Sequence, residues 1–328
     1  MATQRSTGFA RLAVTTTVLT LALVALGGTV RATDSGLACP DYPRCFGAWI
    51  PPPDLHMWLE HSHRLLAGIV GVAILALTVW AVARFRHRPS VLWASVTALV
   101  LVTAQAALGA FVVLRLLQAE LVTAHLGMAM LVLACLIYLA VAVSHPPSAA
   151  AQPLRRDRRL AWTATAVAAL CFVQILVGGH VTGIGAGLVY TDFPLMDGAV
   201  LPAVTSETEA FHVAHRLLAY LLAGGVVYLC AAALSHRRRL QAAAAWTTGQ
   251  RWLVTLPLWA AVLVVVQIGL GVANLASRAS FLTVIPHLAV ASWIWAALFL
   301  HAVLAHRLAP ATGGPVPAVT PVREGAPA

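Results

Sequence analysis

Long apolar runs, broken by short polar segments, fill most of the chain. Eight can be read, at about residues 9–28, 61–83, 91–114, 121–144, 160–181, 212–235, 252–274 and 282–305. Each approaches the ~20 residues that a helix needs to cross a hydrocarbon core about 30 Å thick. None shows the period-2 alternation of a barrel strand, and a continuous apolar segment in lipid can satisfy its own backbone only as a helix. The pattern predicts an all-α integral membrane protein of eight transmembrane helices. Segment 1 resembles a secretory signal in position, but it has a counterpart in the second half of the chain and is therefore expected to be retained.

Composition sharpens this. Of 328 residues, 60% are hydrophobic and 10% charged, against about 25% charged in an ordinary soluble domain; the mean hydropathy is +0.84. The net charge of +10 does not indicate nucleic acid, because the arginines sit in short loops. Arg84, Arg86 and Arg88 follow segment 2, Arg155, Arg156, Arg158 and Arg159 follow segment 4, and Arg237, Arg238, Arg239 and Arg251 separate segments 6 and 7. Arg5 and Arg11 precede segment 1 and Arg307 follows segment 8, all on one side of the bundle. The positive-inside rule makes that side cytoplasmic. The expectation is a multi-pass protein of the cell (plasma) membrane, embedded in the lipid bilayer, with both termini cytoplasmic. The opposite loops carry Asp34, Asp41, Asp54, Glu60, Asp192, Asp197, Glu207 and Glu209.

An internal repeat organises these segments. Gly27-Gly28 recurs as Gly178-Gly179, Gly36-Leu37 as Gly187-Leu188, Asp41 as Asp192, Pro43 as Pro194 and Gly47 as Gly198, all 151 residues apart. One residue later in register, His63-Arg64-Leu65-Leu66-Ala67 returns as His215-Arg216-Leu217-Leu218-Ala219. Gln105, Gly109 and His125 return 162 residues on as Gln267, Gly271 and His287. Segments 1–4 and 5–8 are thus two parallel four-helix-bundle repeats, expected over residues 1–150 and 151–308, with a Pro/Ala/Gly-rich tail at 309–328 read as disordered. The glycine pairs and Gly183-x-Gly185-x-Gly187 fall at outer segment ends and are read as tight turns.

Most of the 13 histidines need no special role: His87, His145, His236 and His306 are expected to be solvated near the cytoplasmic face, as is His56 outside. His63, His125, His215 and His287 differ. They stand near the outer starts of segments 2, 4, 6 and 8, one pair per repeat, each expected 3–6 residues into its helix and at one depth. Polar groups within spans are functional by default, and two imidazoles reaching inward at one level suit the axial positions of a haem. A mononuclear zinc or iron site would need further ligands that neither half offers.

Three further features bear on chemistry. Cys39 and Cys45 lie in the first outer loop, on the oxidising side, and a disulfide is the favoured reading. Arg64 and Arg216 directly follow two of the histidines; they either pair with haem propionates or snorkel to the interface. Glu60 lies one turn before His63, on the same helix face, where the second half has His212. A carboxylate there can handle protons during an oxidation, and its loss from the second half marks the first as the reactive one.

The run Gly36-Leu37-Ala38-Cys39-Pro40-Asp41-Tyr42-Pro43-Arg44-Cys45, with Glu60-His61-Ser62-His63-Arg64 opening the second span, resembles the haem A synthases. The eight-helix layout and the even-helix histidines resemble that family as well, over nearly the whole chain. The resemblance implies a membrane haem-dependent oxidoreductase that turns a rim methyl of haem O into a formyl group. Two successive hydroxylations give a geminal diol, which loses water to leave haem A for terminal cytochrome oxidases. It implies haem O as substrate, haem A as product and a bis-histidine haem b as cofactor. His63 and His125 would ligate the substrate haem, His215 and His287 the b-type haem, with Glu60 catalytic. Haem O synthase and cytochrome oxidase assembly are the implied partners, together with an electron donor that the sequence does not identify; nucleic acid is not among them. Where related proteins can carry a second cysteine pair, this chain has Tyr190 and Met196. The competing reading is a di-haem b-type membrane electron carrier using the same four histidines. A transporter would be expected to show broken helices with midplane polar sites, and a haem O synthase would need paired-aspartate motifs.

Overall fold

The computed structural model describes residues 2–144, 158–242 and 250–308, with side chains described from residue 7. Eight α-helices lie among them: α1 (Ala2–Ala32), α2 (Leu55–Arg84), α3 (Pro89–Leu114), α4 (Ala119–Ser144), α5 (Arg158–Gly183), α6 (Glu207–Ala242), α7 (Trp252–Ala276) and α8 (Phe281–Leu308). All eight are long and apolar enough to cross a membrane. The expected tail, His145, Arg155, Arg156 and the side chain of Arg5 lie outside the described residues.

The helices form two closed rings. In the first, α1 packs on α2, α2 on α3, α3 on α4 and α4 back on α1; α5 to α8 repeat the same cycle. The rings join through α4–α5 and α1–α8, with α4 and α8 meeting between them. Helices α2 and α4, and likewise α6 and α8, therefore stand at opposite corners of their ring.

The backbone repeats as closely as the sequence. Asp34 and Gly185, 151 residues apart, both have positive φ (52° and 70°) just beyond α1 and α5. Leu116-Leu117 and Arg278-Ala279, 162 apart, both turn through φ 53–61° between the third and fourth helices of each ring. In the outer loops Phe46-Gly47 and Asp197-Gly198 have positive φ at both positions, the requirement of a type I′ turn. Each is closed by reciprocal backbone bonds, Cys45 with Ala48 and Met196 with Ala199. Tyr42-Pro43 and Phe193-Pro194 are both cis.

Helix starts are chemically marked. The Asp54 side chain accepts from Met57 N at 3.0 Å to cap α2. For α6, Ser206 Oγ accepts from Glu209 N and Glu209 Oε2 accepts from Ser206 N, a reciprocal capping box. It starts α6 five residues before the apolar run at His212. The histidines accordingly lie deeper than expected: His63 and His215 are each the ninth residue of their helix, His125 and His287 the seventh. At 1.5 Å per residue these are about 12 and 9 Å from the helix starts.

Two expectations are corrected. The glycine pairs are not turns, since both lie inside α1 and α5. A Cβ on Gly28 would stand 2.6 Å from a Leu288 methyl, and one on Gly179 2.9 Å from a Leu126 methyl, so these glycines let the rings approach. Of Gly183, Gly185 and Gly187, only Gly185 has a positive φ, +70°. His236 is not solvated: α6 runs on to Ala242, and both His236 and His301 are fully buried. The arginine cluster Arg237–Arg239 does not end that helix, because arginine is a good helix former.

Candidate functional site

Two matched histidine pockets lie in the halves of the rings nearest the loops that join α1 to α2 and α5 to α6. His63 on α2 and His125 on α4 stand on opposite corners of the first ring, and His215 on α6 and His287 on α8 on opposite corners of the second. Each imidazole is half-buried. Each also lies against a glycine of the preceding helix. A Cβ on Gly27 would stand 3.0 Å from His63 Nε2, on Gly109 3.0 Å from His125 Cε1, on Gly178 2.7 Å from His215 Cε1, and on Gly271 3.5 Å from His287 Cε1. The glycine pairs thus divide their labour, the first clearing an imidazole of its own ring and the second a leucine of the other.

Glutamines one turn before two of these glycines support the imidazoles. Gln105 Nε2 donates to the His125 backbone carbonyl (3.1 Å) and lies 3.2 Å from His125 Nε2. Gln174 Nε2 donates to the His215 carbonyl (3.0 Å) and lies 3.1 Å from His215 Nδ1. Gln267 holds the matching place on α7, and Leu23 that on α1. Gln174 was not singled out from sequence, although the Gln-x3-Gly spacing on α3, α5 and α7 is a readable signal. The buried Nδ1 atoms of His125 and His287 have no protein partner.

Buried polar atoms are normally satisfied. Two repeat-matched orphan imidazole nitrogens, in pockets kept clear of side chains by glycine, are the chemistry expected of axial ligands. The residues therefore fit a haem.

The outer loops fold over these pockets. Arg64 Nη1 donates to the carbonyls of Asp41 and Arg44 (2.7 Å each), and Nη2 to that of Cys39 (3.2 Å). Nη2 also pairs with Glu60 Oε1, and Glu60 Oε2 accepts from Cys39 N at 2.8 Å. The second loop copies this: Arg216 Nη1 donates to Asp192 and Leu195 carbonyls (2.7 and 2.8 Å), Nη2 to Tyr190 O (2.6 Å), and Nε to His212 Nε2 (2.9 Å). The two arginines considered as propionate partners are thus loop clamps in the structure, with four of the five N–H groups of each guanidinium committed to protein acceptors.

Glu60 and His212 occupy one structural position with different charge. Arginine can only donate, so His212 Nε2 must be the acceptor and Nδ1 the protonated nitrogen. The Tyr190 N–H, 3.5 Å from Nδ1, is thereby left without a strong bond where Glu60 provides one. Cys39 and Cys45 are disulfide-bonded. At their repeat positions Tyr190 and Met196 are buried and pack with Val213. Asp41 accepts from Phe46 N and Gly47 N, and Asp192 from Asp197 N and Gly198 N. Both carboxyls are held below the ordinary aspartate pKa, chiefly by the glycine N–H groups.

Fold and site together define a polytopic helical membrane protein with two matched histidine pockets arranged by duplication. The family described as Cytochrome oxidase assembly protein (COX15-CtaA) matches residues 10–299, and the chain belongs to it. The chain is similar to the heme A synthase of Shouchella clausii, with 32% identity over 66% of this chain and 72% of that protein. It is also similar to the heme A synthases of Alkalihalophilus pseudofirmus, with 27% identity over 74% and 82%, and Maricaulis maris, with 30% over 63% and 73%.

Proposed function

We propose that this chain is an oxidoreductase that converts haem O to haem A. In this reading His63 and His125 hold the substrate haem in the N-terminal repeat (1–150), and His215 and His287 hold a resident b-type haem in the C-terminal repeat (151–308). The observation that carries the reading is the matched set of four imidazoles, each lodged against a glycine. The relatives named heme A synthase support it. When bound, the haems supply the iron redox chemistry that turns a rim methyl into a formyl group.

The chain's own residues orient, enclose and move protons. The glycines on odd-numbered helices let the imidazoles stand at one level. Arg64 and Arg216 hold the outer loops over the pockets and so limit access of water. Glu60 is the proton-handling group: it lies one turn before His63 and is the one buried carboxylate tied to both clamp and loop among the described residues. His212, a neutral acceptor, preserves the clamp in the other ring without that capacity. The substrate is supplied by a haem O synthase and the product enters cytochrome oxidase assembly. The arginine-rich side faces the cytoplasm of the plasma membrane, with both termini inside.

Purified full-length protein given haem O, reductant and oxygen should yield haem A on extraction and mass analysis. His215→Ala or His287→Ala should lose the resident b-type haem, and His63→Ala or His125→Ala should lose haem O binding. Unchanged haem content and binding in all four variants would sink the ligand assignment. Failure to make haem A with both haems bound would favour an electron carrier.

A further inference from the structure

We propose that the end of the bundle opposite the histidine pockets carries a site for one anionic phospholipid, its phosphate held by Arg88 and Arg307 and an acyl chain lying between α3 and α4. Arg88 directly precedes α3, and Arg307 is the last residue but one of α8, so two segments far apart in sequence bring their guanidiniums to a third helix. Arg88 Nη2 donates to the Ala142 carbonyl at 2.7 Å, and the Arg307 guanidinium lies 5.0 Å from the centre of the Tyr138 ring. Tyr138 and Ala142 are one turn apart on one face of α4, about 6 Å along its axis. The two positive charges therefore gather on the last turns of α4. An arginine that merely snorkels sends its charge out into water, whereas these two are half-buried and turned onto a neighbouring helix.

The occupant follows from this charge and from the surface beside it. Ala142 takes one of the five N–H groups of Arg88, and burial together with the charge of Arg307 holds the Arg88 guanidinium below its usual pKa. Like charges brought together favour an anion between them, and a phosphate suits two guanidiniums. Every acidic side chain among the described residues lies in or beside the loops at the other end of the bundle, so none of them supplies that anion. The Tyr138 ring under Arg307 also lines an open groove of about 380 Å³, together with Ser90, Leu101, Leu131 and Phe299. Ser90 is two residues from Arg88, and Leu101 is eleven further on, so the groove begins beside the guanidiniums and runs about 16 Å along α3. Its lining is mostly apolar, and it lies on the outward faces of two helices long and apolar enough to cross a membrane. A cationic mouth continued by an apolar channel matches a lipid phosphate and its chain; a free phosphate has no use for the channel.

The full-length protein, purified with its haem, is titrated with phosphatidylglycerol or phosphatidylcholine of matched chains, and bound lipid is counted by native mass spectrometry. One phosphatidylglycerol should be held roughly tenfold or more tightly than phosphatidylcholine, the scale of two arginines acting on an anionic headgroup. Arg88→Gln with Arg307→Gln should abolish that preference. Arg84→Gln with Arg86→Gln, an equal loss of charge at the same end of the bundle, should keep it. Leu131→Trp narrows the groove but leaves both arginines in place; it should weaken phosphatidylglycerol binding, and it keeps the proposal testable if the Arg88/Arg307 variant does not fold. Inorganic phosphate at the lipid's concentration should not displace it. Equal affinity for the two lipids, or equal loss in both arginine variants, would overturn the proposal and leave only diffuse positive charge. Displacement by inorganic phosphate, or phosphatidylglycerol binding that Leu131→Trp leaves unchanged, would overturn it as well, because the acyl chain would then play no part.

Discussion

The two outer loops follow one backbone path and are held by one arginine clamp, yet they are built from different chemistry. The first is closed by the Cys39–Cys45 disulfide and tied to its helix by the Glu60 carboxylate. The second is closed by buried Tyr190 and Met196 and tied by the neutral His212. Apolar packing and an imidazole suffice to hold the path, so loop geometry does not explain the carboxylate and the disulfide. What Glu60 adds is a titratable negative charge beside one histidine pair only. The comparison separates what every pocket of this fold needs, namely imidazoles, glycines and a clamped lid, from what one pocket has in addition.

The sharpest way to break that comparison is Glu60→Gln. The amide keeps an acceptor for Cys39 N–H but cannot carry a proton as a carboxylate does. Haem A formation should fall by about 10²–10⁴, the range for losing a general acid–base, with both haems retained. Mass analysis of extracted haems reads this out and would reveal stalling at the hydroxylated stage. Wild-type haem A from this variant would reduce Glu60 to a clamp acid, equivalent to His212. The mirror change His212→Glu should not make the second ring reactive, because the haem assigned there is not the substrate.

The clamps should differ next. Arg64 and Glu60 are both nearly buried, with 10% and 5% of their side-chain surface exposed. Arg64→Ala would leave a buried carboxylate without its countercharge, a change that costs about 3–5 kcal/mol. Arg216→Ala leaves a neutral imidazole and unpaired carbonyls and should cost about 1–3 kcal/mol. Thermal unfolding in detergent should therefore show a distinctly lower midpoint for Arg64→Ala. Equal losses would mean that the Glu60–Arg64 pair adds nothing to the clamp beyond what His212 adds in the second ring.

Much of this was legible in the sequence, and the misses share a cause. The eight spans, the repeat and the four histidines follow from hydropathy and register, which are local or periodic. The clamps were not legible, because Arg64 meets carbonyls 20–25 residues earlier and no short-range signal marks a carbonyl as an acceptor. The glycine pairs are ambiguous in the sequence for a similar reason. A glycine in a span can serve a turn or a close approach, and which applies depends on His63 or Leu288 from another helix. The early start of α6 is encoded in Ser206-x-x-Glu209, ahead of the apolar run that opens at His212. His236 follows the apolar run and so reads as a span-end residue, yet α6 continues to Ala242 and buries it.

The glycines provide a graded test within the C-terminal pocket. Gly178→Ala places a methyl 2.7 Å from His215, while Gly271→Ala places one 3.5 Å from His287. Overpacking of a tight site costs roughly 1–3 kcal/mol, whereas 3.5 Å is ordinary contact. Haem retention in the C-terminal ring, followed by its absorbance during dilution, should be clearly weakened by Gly178→Ala and little changed by Gly271→Ala. The reverse order would mean that the imidazoles shift away from these positions when haem is held.

The smallest effect should come from exchanging the loop closures. Cys39→Ser with Cys45→Ser opens a bond between residues six apart, and chain entropy for so short a loop is worth about 2 kcal/mol. That loss should show as proteolysis of the first outer loop rather than as unfolding of the bundle. The converse pair, Tyr190→Cys with Met196→Cys, tests whether the loops truly share a path. Met196 and Ala199 bond as Cys45 and Ala48 do, so two cysteines there should meet and oxidise without assistance. Stability should hardly change, since the new bond's gain is offset by the lost burial of Tyr190 and Met196. Intact mass after alkylation decides the matter. The unmodified chain has free thiols at Cys135, Cys171 and Cys230, and the variant should label to the same number. Two additional labels would show that the second loop holds its shape by packing alone and does not bring those positions within bonding distance.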